Sequence, residues 1–178
     1  AQVHRDLKKE IAEREYAERQ LNLKAEMTIR NQNALLTLNN LDNSDLDKVV
    51  RAVTETGATA LNVERASFWI FPTDFSEIQC KDLYLKKKNK HDVWPSFKAD
   101  QFPKYMKALE GLRVIAAHDS CQDDRTREFT KNYYLPLGIT SNMDVPIRVG
   151  GKLSGILCLE HMGTPRHWTL EEQDFAAS

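Results

Sequence analysis

The sequence predicts an α+β domain, an antiparallel sheet with helices on its faces, preceded by one long helix. Three observations predict it. The first forty residues contain no Gly or Pro and are dense in Glu, Lys, Arg, Gln and Ala, which lose little side-chain freedom in a helix. Short β-branched and aromatic runs follow, interleaved with helical patterns. Adjacent runs join as hairpins, which makes the sheet antiparallel.

Taken in order, the leading helix carries a seam at alternating steps of four and three: Leu7, Ile11, Arg14, Glu18, Leu21, Ala25, Thr28, Gln32 and Leu35. Roughly half of these are polar or small, so the seam predicts a weak parallel coiled coil over residues 1–41. From Leu7 to Leu35 it reaches roughly 40 Å. A domain over 42–178 follows. Ser44 with Asp47 three residues on makes a capping pattern for a helix through Leu46, Val49, Val50, Val53 and Leu61. "ERASFWIFP" is a strand halted by Pro72, and "EIQCKDLYL" is a second, dissolving into a basic loop at Lys86-Lys87-Lys88. Asp100 can cap a helix with Pro103 in its first turn and Gly111 at its end. "RVIAA" is a short strand, and "DDRTREFTKNYYLPLG" reads as a helix closed by Pro136 and Gly138. "SNMDVPIRVGGKLSGILCLEH" is a hairpin turning on Gly150-Gly151. The last segment, "LEEQDFAAS", is a helix with acidic residues in its first turn.

Composition narrows the function. The 25 Lys plus Arg nearly balance the 26 Asp plus Glu, leaving no electrostatic footprint for nucleic acid or an anionic membrane. No apolar run approaches the roughly 18 residues that span a bilayer. Cys80, Cys121 and Cys158 are widely spaced and odd in number, which suits a reducing, cytoplasmic setting better than a disulfide framework. The chain starts and stops inside helical patterns, and the expectation is a piece of a longer protein. His118, Asp119 and Cys121 read as a turn entering a helix rather than as a metal or thiol site.

The segments "RVIAAHDSCQDDRTREF", "LGITSNMDVPIRVGGKLSGILCLEH" and "PRHWTLEEQDFAAS", in this order after the first strand, resemble the GAF domain, a small-molecule sensing and dimerisation module. The likeness is to bacterial GAF sensors preceding diguanylate cyclase or histidine kinase modules. It implies a sheet of about six strands, one face packed on helices from the chain ends and the other forming a pocket. It implies a homodimer through the leading helix, an unidentified small-molecule ligand and no catalytic residue in this segment. Covalent bilin attachment uses a Cys followed by His, whereas here Lys81, Gln122 and Leu159 follow the cysteines. The cyclic-nucleotide signature is incomplete, since Gln101-Phe102 stand where Asp-Glu is required. Two alternatives remain, a cysteine-dependent methionine sulfoxide reductase of the same fold and a ligandless dimerisation spacer.

With Gly150 and Gly151 as the two turn residues, Val149 opposes Lys152, Val145 opposes Ile156 and Met143 opposes Cys158. One face is then apolar, and the other carries Asn142, Asp144, Leu157, Leu159 and His161. An unpaired carboxylate is expensive against packed helices, while a pocket tolerates a few polar groups. The mixed face is therefore expected to line the pocket, joined by Ser67 and Trp69 of the first strand. Glu160 points to the opposite face. A Glu160–Arg166 pair under Trp168 is expected to lock the corner between the last strand and the final helix.

Overall fold

The computed structural model describes residues 2–40 and 45–178. The chain separates into two units, Ala1–Asn40 and Leu41–Ser178. The first is the helix α1, Gln2–Asn39.

In the second unit, α2 (Leu46–Ala60) starts at Asp45, whose carboxylate accepts from the Lys48 amide. Ser44, the expected cap, lies outside the described residues. Strands β1 (Arg65–Ile70), β2 (Glu77–Leu85), β3 (Lys90–Asp92) and β4 (Phe97–Lys98) follow, then α3 (Pro103–Gly111) and β5 (Ile115–Ala117). The short α4 (Leu135–Leu137), the strands β6 (Ile139–Val149) and β7 (Lys152–Met162), and α5 (Leu170–Ala176) complete it. The sheet is antiparallel, ordered β3-β2-β1-β7-β6-β5, with β4 paired to β2. The α+β expectation holds, with β3 and β4 added where the sequence suggested a loop.

Each sheet face carries its own core. Ala66, Met143, Val145, Leu157 and Leu159 pack with Ala58 and Leu61 at the end of α2, with Trp168, and with Phe175 of α5. Trp69, Ile156 and Cys158 pack with Tyr105 and Leu109 of α3 and with Phe129, Tyr133 and Tyr134.

Three local departures shape that second layer. Asp100 does not cap α3; the Glu128 carboxylate does, accepting from the Lys104 and Tyr105 amides at 3.3 and 3.1 Å. The helix expected from Asp123 is instead a 3-10 turn (Arg127–Phe129), a π-helix (Thr130–Tyr134) and α4. Pro136 has no N–H to give to the preceding turn. The wide turn lets consecutive Tyr133 and Tyr134 both point inward.

The third departure is decisive for the site. The β6–β7 hairpin turns on Gly150 and Gly151, both at positive φ, as a primed turn requires. Val149 pairs with Lys152 and Arg148 with Leu153, but Ile147 pairs with Gly155. Ser154 is an extra residue in β7, a β-bulge, and every pair beyond it moves by one. Asp144 therefore opposes Cys158, and Val145 opposes Leu157. Beside the bulge a Cβ on Gly155 would lie 2.6 Å from the Trp69 carbonyl oxygen, so only glycine lets β1 approach there.

Candidate ligand pocket

Beneath α3 and the π-helix the sheet encloses a cavity of about 30 Å³, room for one or two waters. Trp69, Ile156 and Ile78 line it from the sheet, Phe97 from β4, and Tyr105, Phe129, Tyr133 and Tyr134 from above. The rings interlock: Phe97 meets Phe102, Phe129 and Tyr133 edge-on, each at 5.5 Å, and Phe102 stacks on Phe129 at 3.9 Å. Two carboxyl groups, Asp144 and Glu160, and the Cys158 thiol complete the wall.

The carboxyl groups are held differently. Glu160 accepts from Arg65 Nε at 2.8 Å, and Arg65 also donates to the Tyr133 hydroxyl at 3.3 Å. The Arg65 guanidinium lies 5.6 Å from the Trp94 ring centre and 5.9 Å from that of Tyr133. Burial opposes its charge, but the Glu160 carboxylate and the hydrogen bond to Tyr133 overcome this and leave its pKa above the ordinary value. Among the described residues, Asp144 has no cation as hydrogen-bond partner. It accepts from the Tyr105 hydroxyl at 3.0 Å and from Asn142 Nδ2 at 2.7 Å. Burial pushes its pKa up to about 7, the bonds from Asn142, Cys158 and Tyr105 only partly offset this, and Glu160 adds to it. Burial also drives Tyr105, Tyr133, Tyr134 and Cys158 well above their usual ranges.

Of the residues singled out from sequence, Trp69 and Asp144 line the cavity. Ser67 and Asn142 are buried behind it, Ser67 accepting from Trp69 Nε1 at 2.8 Å. Leu157 and Leu159 belong to the opposite core, and the face expected for them is corrected by the bulge at Ser154. His161 is also displaced: it donates from Nε2 to the Thr164 carbonyl and sits 3.0 Å from the Glu64 carboxylate. Cys158 and Glu160 take the vacated places. Sequence reasoning also missed Arg65, whose signal is a cation at the start of a strand otherwise buried.

A family model for the GAF domain matches residues 45–178. The chain belongs to the GAF family. Among solved structures it is similar to the GAF domain of a phosphoenolpyruvate-protein phosphotransferase from Coxiella burnetii, at 19% identity and TM-score 0.64, covering 85% of this chain and 86% of that one. It is also similar to the phycocyanobilin-bound GAF domain of a cyanobacterial phytochrome, at 16% identity and TM-score 0.62, covering 85% and 91%. At such identities the likeness is one of fold. A comparison with curated proteins gives no match.

The exit corner of this GAF domain is built differently from the expected Glu160–Arg166 pair. Glu160 faces the cavity and is taken by Arg65. Arg166 turns the other way, donating to Glu172 of α5 and, at 3.0 Å, to the Leu61 carbonyl at the end of α2. Its guanidinium lies 4.3 Å from the ring centre of the fully buried Trp168. Trp168 Nε1 donates to the Ala117 carbonyl at 3.1 Å, and its backbone N–H to His118 Nδ1 at 3.1 Å. Glu172 also closes a capping box with Thr169. At this corner Arg166 therefore ties Leu61, Trp168 and Glu172 together, with no part played by Glu160.

Proposed function

We propose that this GAF domain is a cytoplasmic sensor of a small molecule, bound in the cavity below α3. One observation carries the reading. Asp144 is a buried carboxyl group on the wall of a largely aromatic cavity and, unlike Glu160, has no cation as hydrogen-bond partner among the described residues. A core gains nothing from such a group, whereas a pocket uses it to orient a ligand. Occupancy would reach the rest of the protein along β7. This strand carries Cys158 and Glu160 into the wall and leads through the Arg166 corner into α5. The output would be a diguanylate cyclase or histidine kinase module, with α1 pairing two copies in parallel.

The ligand is smaller than a bilin, since pockets for drug-sized molecules run from about 300 Å³ upward. The sulfoxide reductase alternative needs an accessible thiolate. Burial holds Cys158 well above its ordinary pKa and pushes Cys80 up to about 11, which weighs against it. The test is a thermal-shift screen of metabolites arranged by charge and size, followed by Trp fluorescence, since Trp69 lines the cavity. A reproducible binder that quenches or shifts Trp emission is expected. If no class of small molecule binds, the spacer reading replaces the sensor.

A further inference from the structure

We propose that the cavity takes a very small organic cation, of the size of methylammonium. Asp144 is its counter-ion and the rings of Phe97, Phe129 and Tyr133 surround it. This rests on the sensor reading above and adds the chemical class of the ligand.

The charge on the wall has one sign. Among the described residues, Asp144 and Glu160 are the only acidic groups lining the cavity, and no Lys, Arg or His lines it. The nearby guanidinium, Arg65, is engaged by Glu160 and Tyr133. Arg125 gives its donors to Asp123 and to the Ala116 carbonyl. The remaining wall is mainly aromatic, and ring faces attract cations and repel anions. Asn142, behind the wall, positions the Asp144 carboxyl group by donating to it at 2.7 Å. The amide that donates to Asp144 has its oxygen buried without a hydrogen-bond partner among the described residues. An anion here would meet two carboxyl groups and negative ring faces. A neutral molecule would leave Asp144 without a counter-charge.

A pH signature follows. The groups around Asp144 are Tyr105 from α3, Tyr134 from the π-helix, Asn142 on its own strand, Cys158 and Glu160 from β7, and Arg125. The tyrosines and Cys158 are held above their usual ranges, so they do not titrate between pH 6 and 8. Asp144 does, near 7. A cation requires its ionised form, so affinity should fall about tenfold from pH 8 to pH 6.

The test is calorimetry on the 178-residue chain with probes small enough for a cavity of about 30 Å³: methylamine, methanol and formate. Methylamine is expected to bind at least tenfold tighter than methanol and formate, with the stated pH dependence. Asp144→Asn should abolish the preference. Tyr105→Phe, which keeps the carboxyl group but removes a donor to it, should retain amine binding with the pH midpoint moved upward. Methanol or formate binding as tightly as methylamine would overturn the cation assignment and leave the pocket standing. An unshifted midpoint in Tyr105→Phe would overturn the role of Asp144. Silence from all three probes would overturn both this inference and the sensor reading.

Discussion

Arg65 donates from Nε to the Glu160 carboxylate at 2.8 Å across the β1–β7 pair, and each side chain is less than a tenth exposed. A buried pair of this kind adds little net stability over apolar neighbours, but removing one partner strands the other's charge. Glu160→Leu and Arg65→Met are each expected to lower stability by about 3–5 kcal/mol. The double change Arg65→Met with Glu160→Leu should be less harmful than the two single losses summed. Urea denaturation of the four proteins measures this, and summed losses in the double variant would show the pair to be uncoupled.

Asp144 should shape stability against pH. Its folded pKa is raised from 3.8 to about 7, so the folded state holds a proton that the unfolded chain releases near 4. The resulting stabilisation is fully present below about pH 4 and is lost as pH rises through about 7. The full loss is about 4 kcal/mol. Asp144→Asn removes this dependence, so the variant should gain on the natural protein between pH 4 and pH 8. Chemical denaturation at intervals across that range checks it, and parallel profiles would mean that Asp144 ionises as it does in the unfolded chain.

The same residue marks how far the sequence could be read. The Gly150-Gly151 turn, the two long strands and the polar contrast around Asp144 were all legible, because turn chemistry and alternation are local. The bulge at Ser154 was not, since a serine in a strand carries no turn signal. One extra residue exchanged Leu157, Leu159 and His161 for Cys158 and Glu160 on the pocket face. The Arg166 corner was misread for a related reason. With Glu160 committed inward to Arg65, Arg166 found its acid six residues ahead in α5. The π-helix escaped because the segment has helical composition and only the placement of Pro136 betrays it.

The helix α1 exposes Leu7, Ile11 and Leu21 on its seam, at 53%, 49% and 68% of their surface. Such a stripe with polar seam positions between suits a weak parallel dimer. Sedimentation should show dimerisation that depends on concentration in the micromolar range. Ile11→Lys with Leu21→Lys should shift the chain to monomer while the Trp fluorescence of the domain stays unchanged. A natural chain that stays monomeric at high micromolar concentration would remove the coiled-coil reading.

The final prediction concerns the corner. Arg166 is about a quarter exposed and Glu172 nearly buried, at 23% and 8% of their side-chain surfaces. The pair therefore lies between the exposed and fully buried limits, and Arg166→Ala should lower stability by about 1–2 kcal/mol. Thr169→Ala, which breaks the capping box, should lower it by about 1 kcal/mol. In both variants the amides of α5 should exchange with solvent faster, because its N-terminus loses acceptors or its tie to Leu61. Arg166→Ala combined with Glu172→Gln should be clearly non-additive, since the two side chains touch. Combined with Glu160→Gln it should be additive within about 0.5 kcal/mol, because Glu160 faces the other side of the sheet. Methylamine affinity should be unchanged by Arg166→Ala, as Arg166 does not line the cavity. Coupling between positions 160 and 166, or unchanged exchange in α5, would defeat this account of how β7 is joined to the exit helix.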